Sequence, residues 1–474
     1  MNPTGSDPNR TVLGGPDPNK TVLGGPDANR TQAIAPPLLG NANRTTALSP
    51  DQLPGPAGTL TVAVTPSRVA TMANGPAREQ FLIEIKGGAD FGLPGLGVGA
   101  PRTPLNLCLV LDRSGSMEGA PLEYARQSCA YVVDMLTPND VLSIVTFEEV
   151  VEVLMPPQRV TNKDAIKQGI SQIQPGNTTN LYDGLSLATH QLLSAQDASR
   201  ATRMIVLTDG DPTAGIKDFG TLTAHAAEIK AKGITATFLG FGPDYNEELL
   251  AALAKRAGGN YYYIPSPELL PEVFRKELEK LVSVSAQNLS LHFKLARWVK
   301  LRTATGLSTP PTDSKFSLTL TDLERGSNLK TLIDVEFQNH PLGHYRVAAG
   351  KLEYDNIQTG RPESIDVDLV MEFTADAAKY SVPANPVVTQ AGELMAVSRQ
   401  VEKTILGLKT GQITSMGAIQ ELQKTQMILA NEGRAMEAQE VTMALRALQS
   451  GQVGEAEKTL MGTMVNLDQG KSKS

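Results

Sequence analysis

Cysteine is nearly absent, with Cys108 and Cys129 the only two in 474 residues. Two are too few for a disulfide framework, and neither has the Cys/His spacing of a zinc site. Each lies in an apolar stretch and reads as a small core residue, a thiol in a reducing compartment. Their spacing leaves a contact between them open. The 5 histidines are scattered without metal-binding spacing. No apolar run of about 20 residues exists, which excludes a helical membrane span. Charge of one sign is also lacking: 43 Lys and Arg stand against 50 Asp and Glu, a net charge of −7, so nucleic acid and anionic membrane are not expected partners. The first residues, MNPTGSDPNR, have neither the basic nor the apolar region of a secretory signal, and the expectation is a cytoplasmic protein. A nucleophile elbow and a Gly-rich phosphate loop ending in Lys are both missing, which points away from an enzyme.

What is present centres on Leu105 to Met117, LNLCLVLDRSGSM. An uncharged apolar run of this kind suits a strand covered on both faces of a parallel sheet. It ends in Asp112, Ser114 and Ser116, hard oxygen donors at a strand's carboxyl end, where ligands of open α/β sheets bind. Two later loops share the character: GNTTNLYDG at 176–184, before an apolar helical stretch, and MIVLTDG at 204–210, another buried strand ending in an acid. Together the three loops present Asp112, Ser114, Ser116, Thr179 and Asp209, with Thr178 as an alternative to Thr179.

In these loops the chain resembles the von Willebrand factor type A (VWA) family, whose metal-ion-dependent adhesion site uses an Asp-x-Ser-x-Ser loop, a distant Thr and a distant Asp. The resemblance implies that Ser114, Ser116 and Thr179 reach the ion through hydroxyls. Asp112 and Asp209 would bind it directly or through water. It favours Thr179 over Thr178, because the family's Thr directly precedes an Asn-Leu-Tyr type segment. The implied ion is Mg²⁺ or Mn²⁺, with an open position for an acidic group of a partner protein. Arg113 alternates away from the ligands and reads as solvated, with contact to the incoming acid as the other reading.

Along the chain, residues 1–57 are rich in Pro, Gly, Asn and Thr, and are expected to be a disordered tail. The tail repeats a ten-residue unit, DPNRTVLGGP from Asp7, DPNKTVLGGP from Asp17 and DANRTQAIAP from Asp27, with a degraded copy from Asn41. Each copy offers a Thr (Thr11, Thr21, Thr31, Thr45) after a basic residue. These resemble substrates of bacterial Ser/Thr kinases and, once phosphorylated, ligands of forkhead-associated domains. The bland reading is a duplicated low-complexity linker.

Residues 58–100 hold two alternating runs that need partners elsewhere. Residues 104–284 alternate strand and helix as a doubly wound, Rossmann-like α/β domain with one antiparallel edge strand, and the resemblance implies strand order 3-2-1-4-5-6. Residues 285–376 return to strand-like runs, about eight strands with those of 58–100, and Trp298 and Tyr345 are expected in their core. The expected architecture is therefore α/β: a VWA domain inserted in a β-sandwich, a layout shared by relatives of the inter-alpha-trypsin inhibitor heavy chains. Residues 385–468 read as a C-terminal array of short helices punctuated by Gly411, Gly433 and Gly451. Its methionines are expected in helix packing, with an adaptable groove as the alternative. The final GKSKS reads as a frayed basic end.

The function expected from these readings is a non-enzymatic cytoplasmic adaptor. Its ion site captures a partner's carboxylate, and its tail, phosphorylated on Thr, docks a forkhead-associated protein. The alternative is an accessory VWA subunit of an ATPase-driven, chelatase-like complex. A metal-dependent hydrolase ranks last, because the motif loops supply no general base.

Overall fold

The computed structural model describes residues 60–88, 102–241, 245–307, 314–468 and 471–473. The repeat-bearing tail and its four threonines lie outside them. The described chain opens with β1 (Thr61–Pro66), β2 (Ala70–Met72) and β3 (Ala77–Lys86). An α/β unit follows: β4 (Leu105–Asp112), α1 (Ala120–Met135), β5 (Val141–Phe147), β6 (Val151–Arg159), α2 (Lys163–Ser171), α3 (Leu181–Ser194), β7 (Ala201–Thr208), α4 (Phe219–Ala231), β8 (Thr235–Phe241), α5 (Glu247–Ala257), β9 (Gly258–Ile264) and α6 (Leu270–Leu281).

Every residue of β4, β5 and β7 is buried, as a parallel sheet with helices on both faces requires. The sheet runs β6-β5-β4-β7-β8-β9, which is the expected 3-2-1-4-5-6 order, with β6 antiparallel to β5. Alternation along β4 separates two cores. Cys108 and Val110 pack with Leu181, Leu185, Leu222 and Leu250 of α3 to α5 on one face. Leu105, Leu107, Leu109 and Leu111 pack with Leu122, Ile166 and Phe274 of α1, α2 and α6 on the other. Cys129 joins this second core, so the two free, buried thiols lie on opposite faces of the sheet and do not meet. Asn162, Asn180, Asp218 and Asn246 cap the amino ends of α2 to α5 by accepting a main-chain N–H three residues on.

After α6 the chain continues as β10 (Val284–Leu295), β11 (Val299–Ala304), β12 (Lys315–Thr319), β13 (Leu323–Glu324), β14 (Ser327–Phe337), β15 (Gly343–Asn356), β16 (Arg361–Asp366) and β17 (Leu369–Thr374). Two sheets result. One is β1-β3-β14-β11 and the other β12-β10-β15-β17-β2, with β13 and β16 as side members. The strands before the α/β unit enter both sheets: β3 pairs antiparallel with β14 and β2 pairs parallel with β17. One apolar core holds the sheets together, from Phe81, Ile83 and Ile85 to Leu291, Phe293 and Leu352. Tyr345 is buried in it, while Trp298 is half-buried and packs edge-on against Phe373 at 5.3 Å. The strands outnumber the eight expected because three alternating runs divide, into β1 and β2, β12 and β13, and β16 and β17. β16 and β17 pair with different halves of the long β15, and the Val367 N–H between them bonds the Gly350 carbonyl.

The C-terminal part comprises α7 (Ala377–Tyr380), α8 (Pro386–Lys409), α9 (Ser415–Asn431), α10 (Ala435–Gln449), α11 (Val453–Asp468) and β18 (Lys471–Lys473). Gly411, Gly433 and Gly451 follow α8, α9 and α10 at φ of 68°, 70° and 81°, the left-handed conformation that closes a helix without a Cβ clash. The array shares a core with α5 and β9, through Val401, Leu422, Leu460 and Met461 against Leu253 and Tyr261. Ion pairs flank this contact: Lys409 reaches Glu247 and Glu248 at 2.8 and 2.9 Å, and Lys255 meets Asp468. Lys458 sits 4.2 Å above the Tyr245 ring.

Two expectations for this part change. Within the final basic segment Lys471–Lys473 is not frayed, since it forms β18 and pairs with Ser327–Leu329 of β14 along an edge that β11, which pairs farther on, leaves vacant. Met461 is buried, but Met416, Met427, Met436 and Met443 are exposed on the outer helices rather than packed. No helix among the described residues is long and apolar enough to cross a membrane.

Candidate metal centre

Asp112 closes β4 and is fully buried. One carboxylate oxygen accepts the Ser114 N–H at 2.8 Å and the other accepts the Thr208 hydroxyl at 2.5 Å. Thr208 closes β7, the strand beside β4, so the next residue, Asp209, leaves the sheet at the same edge. The Ser116 hydroxyl donates to Asp209 at 2.8 Å and stands 3.2 Å from the Ser114 hydroxyl. Ser114 and Asp209 are buried and Ser116 is exposed, so the group opens to solvent at Ser116.

The loop before α3 completes the set. The Thr179 hydroxyl and the Ser116 hydroxyl border one point beside Gly210, 3.7 and 3.8 Å from where a Cβ there would stand. The Thr178 hydroxyl is also buried and has no hydrogen-bond partner among the described residues. Main-chain bonds lace the loops together: Gly115 N–H to Asn177 O, Gly176 N–H to Arg113 O, and the Thr213 and Ala214 N–H groups to Thr179 O. All five expected residues are thus brought to one end of the sheet.

Two carboxylates, Asp112 and Asp209, stand close together at this end of the sheet. Burial pushes the Asp112 carboxyl up to about 7, the nearby Asp209 charge pushes the same way, and the Thr208 and Ser114 hydrogen bonds only partly offset this. No cluster of three or more His, Cys, Asp or Glu in a metal-binding arrangement occurs among the described residues. The donor set here is two carboxylates and three hydroxyls, hard oxygens that fit Mg²⁺ or Mn²⁺.

Sequence reasoning missed three contributors. Thr208 orients Asp112. Thr213 holds the loop by accepting the Thr179 N–H at 2.9 Å. Glu148 follows the buried run VLSIVTF and carries the same signal, an acid at a strand's carboxyl end, that marked Asp112 and Asp209. Its carboxylate accepts the Glu149 N–H at 2.7 Å and the Asn177 N–H at 3.4 Å, and it pairs with Arg113 at 3.4 Å. Arg113 is not solvated, because Glu148 and Glu152 hold it between them.

A doubly wound sheet in this strand order is the fold of a von Willebrand factor type A domain. Residues 106–276 match the von Willebrand factor type A domain family, and the chain contains that domain. An uncharacterized protein of Synechocystis sp. is 33% identical over 199 residues, 41% of this chain and 46% of that protein. A human inter-alpha-trypsin inhibitor heavy chain is 28% identical over 169 residues, 34% of this chain and 18% of that one. The chain thus spans less than half the length of these relatives. The solved von Willebrand factor type A protein from Catenulispora acidiphila superposes with a TM-score of 0.66 at 16% identity, covering 82% of this chain and 91% of that one. That likeness shows a shared fold extending well beyond the α/β unit.

Proposed function

We propose that this chain is a divalent-cation-dependent protein-binding protein, in which Asp112, Ser114, Ser116, Thr179 and Asp209 hold Mg²⁺ or Mn²⁺ and a partner supplies a carboxylate. The observation that carries the reading is the convergence of Asp112 and Asp209 from neighbouring strands, with the Ser116 and Thr179 hydroxyls both beside Gly210. A bound cation would offset the two acids and leave net positive charge for a third. Ser116, exposed at the mouth, marks where the partner enters.

The reading is non-enzymatic. Glu148 is the carboxylate nearest to a general base, but main-chain N–H groups and Arg113 hold it below the usual carboxylate range, and its oxygens are committed to those donors. The second arm of the proposal is the tail. Thr11, Thr21, Thr31 and Thr45 act as kinase sites whose phosphorylated forms dock a forkhead-associated protein, several copies raising avidity.

Affinity capture from the native source tests both arms. A partner is expected to be retained in Mg²⁺, released by chelator, and lost with Asp112→Ala. A forkhead-associated protein is expected to be lost when the four threonines become Ala. Capture of the same proteins by all variants with chelator present would falsify the reading.

A further inference from the structure

The mouth of the ion site has a definite chemistry. Glu118 lies two residues beyond Ser116, Glu149 lies in the β5–β6 turn, Glu152 lies on β6 and pairs with Arg113, and Asp211 lies two residues beyond Asp209; all four are exposed. Arg113, the base nearest the ligands in sequence, is already taken by Glu148 and Glu152. Two aliphatic side chains stand out of the same rim. Val150, whose carbonyl accepts the Glu148 N–H, is 54% exposed, and Ile216, next to the Gly215 that abuts Asn180, is 41% exposed. A ligand complementary to this surface has an acid for the ion, a base a few residues away for the acidic rim, and aliphatic residues for Val150 and Ile216.

The chain carries such a ligand twice, and its acid and base a third time. Asp7, Arg10, Val12 and Leu13 recur as Asp17, Lys20, Val22 and Leu23, while the third copy keeps Asp27 and Arg30 but has Gln32 and Ala33 at the aliphatic positions, with Ile34 one residue on. Apart from Asp51, these three aspartates are the only acids before Leu60, where the described chain begins with a side chain buried in the sandwich. From Leu60 back to Asp27 a fully extended chain of that length would reach on the order of 100 Å, and a flexible one about 30 Å on average.

Resting on the cation-dependent reading above, we propose that an Asp-x-x-Arg/Lys repeat of the N-terminal tail is a ligand of the chain's own ion site, its Asp at the cation and its base against Glu118, Glu149 and Asp211. A tethered ligand acts at millimolar effective concentration, so the tail screens the site against weak outside acids and yields to strong ones.

The test uses the full chain in Mn²⁺ and a fluorescein-labelled peptide of residues 7–16. Changing Asp7, Asp17 and Asp27 together to Asn removes the internal competitor. The peptide is expected to bind this variant about tenfold more tightly than wild type. Chelator abolishes that binding, and a peptide carrying Asp7→Asn does not bind. Equal affinity for wild type and variant, or binding that survives chelator, overturns the proposal. Mn²⁺ uptake is measured calorimetrically on the same samples. Uptake without peptide capture by the variant refutes the tail as ligand and leaves the ion site standing, whereas no uptake refutes both.

Discussion

The Thr208 hydroxyl donates to Asp112 across 2.5 Å and so joins the last residues of two neighbouring parallel strands. In Thr208→Val the buried Asp112 oxygen loses its donor while side-chain volume is kept. The expected cost is about 1–3 kcal/mol in urea unfolding, with Thr208→Ser close to wild type. Cation affinity should fall with the same substitution, because the carboxylate is no longer oriented. Calorimetric titration with Mn²⁺ measures that part.

Glu148 and Gly176 are a second coupled pair. A Cβ on Gly176 would lie 2.6 Å from Glu148 Cγ, so Gly176→Ala displaces the carboxylate that bonds Asn177 and Arg113. Gly176→Ala and Glu148→Ala should each weaken Mn²⁺ binding about tenfold, as loss of a supporting contact around a metal site does. The double variant should be little worse than either single one. Additive losses in the titrations would show that the two residues act separately.

Asp322 fastens the α/β domain to the sandwich. It receives Arg203 at 2.7 Å and Lys230 at 3.2 Å, all three side chains being buried, and the Thr235 hydroxyl at 2.8 Å. Asp322→Ala leaves two buried cations facing each other and should destabilise the chain by about 3–5 kcal/mol. Denaturant unfolding followed by both fluorescence and circular dichroism checks this. A loss below about 1 kcal/mol would mean that water compensates the cations.

Glu440 gives the fold a pH dependence of definite sign. Burial pushes its carboxyl from 4.5 up to about 7, against the Thr463 hydroxyl bond and the Lys280 charge, and Glu437 adds to the upward shift. The folded chain therefore holds a proton that the unfolded chain has lost between those values. Stability falls as pH rises through that window, and the loss is complete above about 7. Glu440→Gln should flatten this slope and be more stable at pH 8, by an amount on the order of 1 kcal/mol. Unfolding midpoints from pH 5 to 8 test it, and parallel curves for the two proteins would refute it.

Much of the α/β domain was legible in the sequence, because its signals are local. An uncharged apolar run ending in an acid marks a buried strand and its carboxyl-end loop, which is how Asp112 and Asp209 stand out. Gly411, Gly433 and Gly451 likewise announce helix ends by the φ they adopt. The strand order came from resemblance to a family, not from periodicity.

Other relationships exist only in the folded chain. The contact between Thr208 and Asp112 depends on β4 and β7 being neighbours in one register. The separation of Cys108 from Cys129 depends on which face of the sheet each residue reaches. The pairing of β18 with β14 depends on an edge left vacant by β11, and the exposure of Met427 and Met443 depends on α9 and α10 lying outermost in the array. Local pattern determines what each segment becomes and which acids end its strands. Which distant segments meet is decided by burial and register over the whole chain, since a hydrogen-bond donor has no partner until the fold brings one to it.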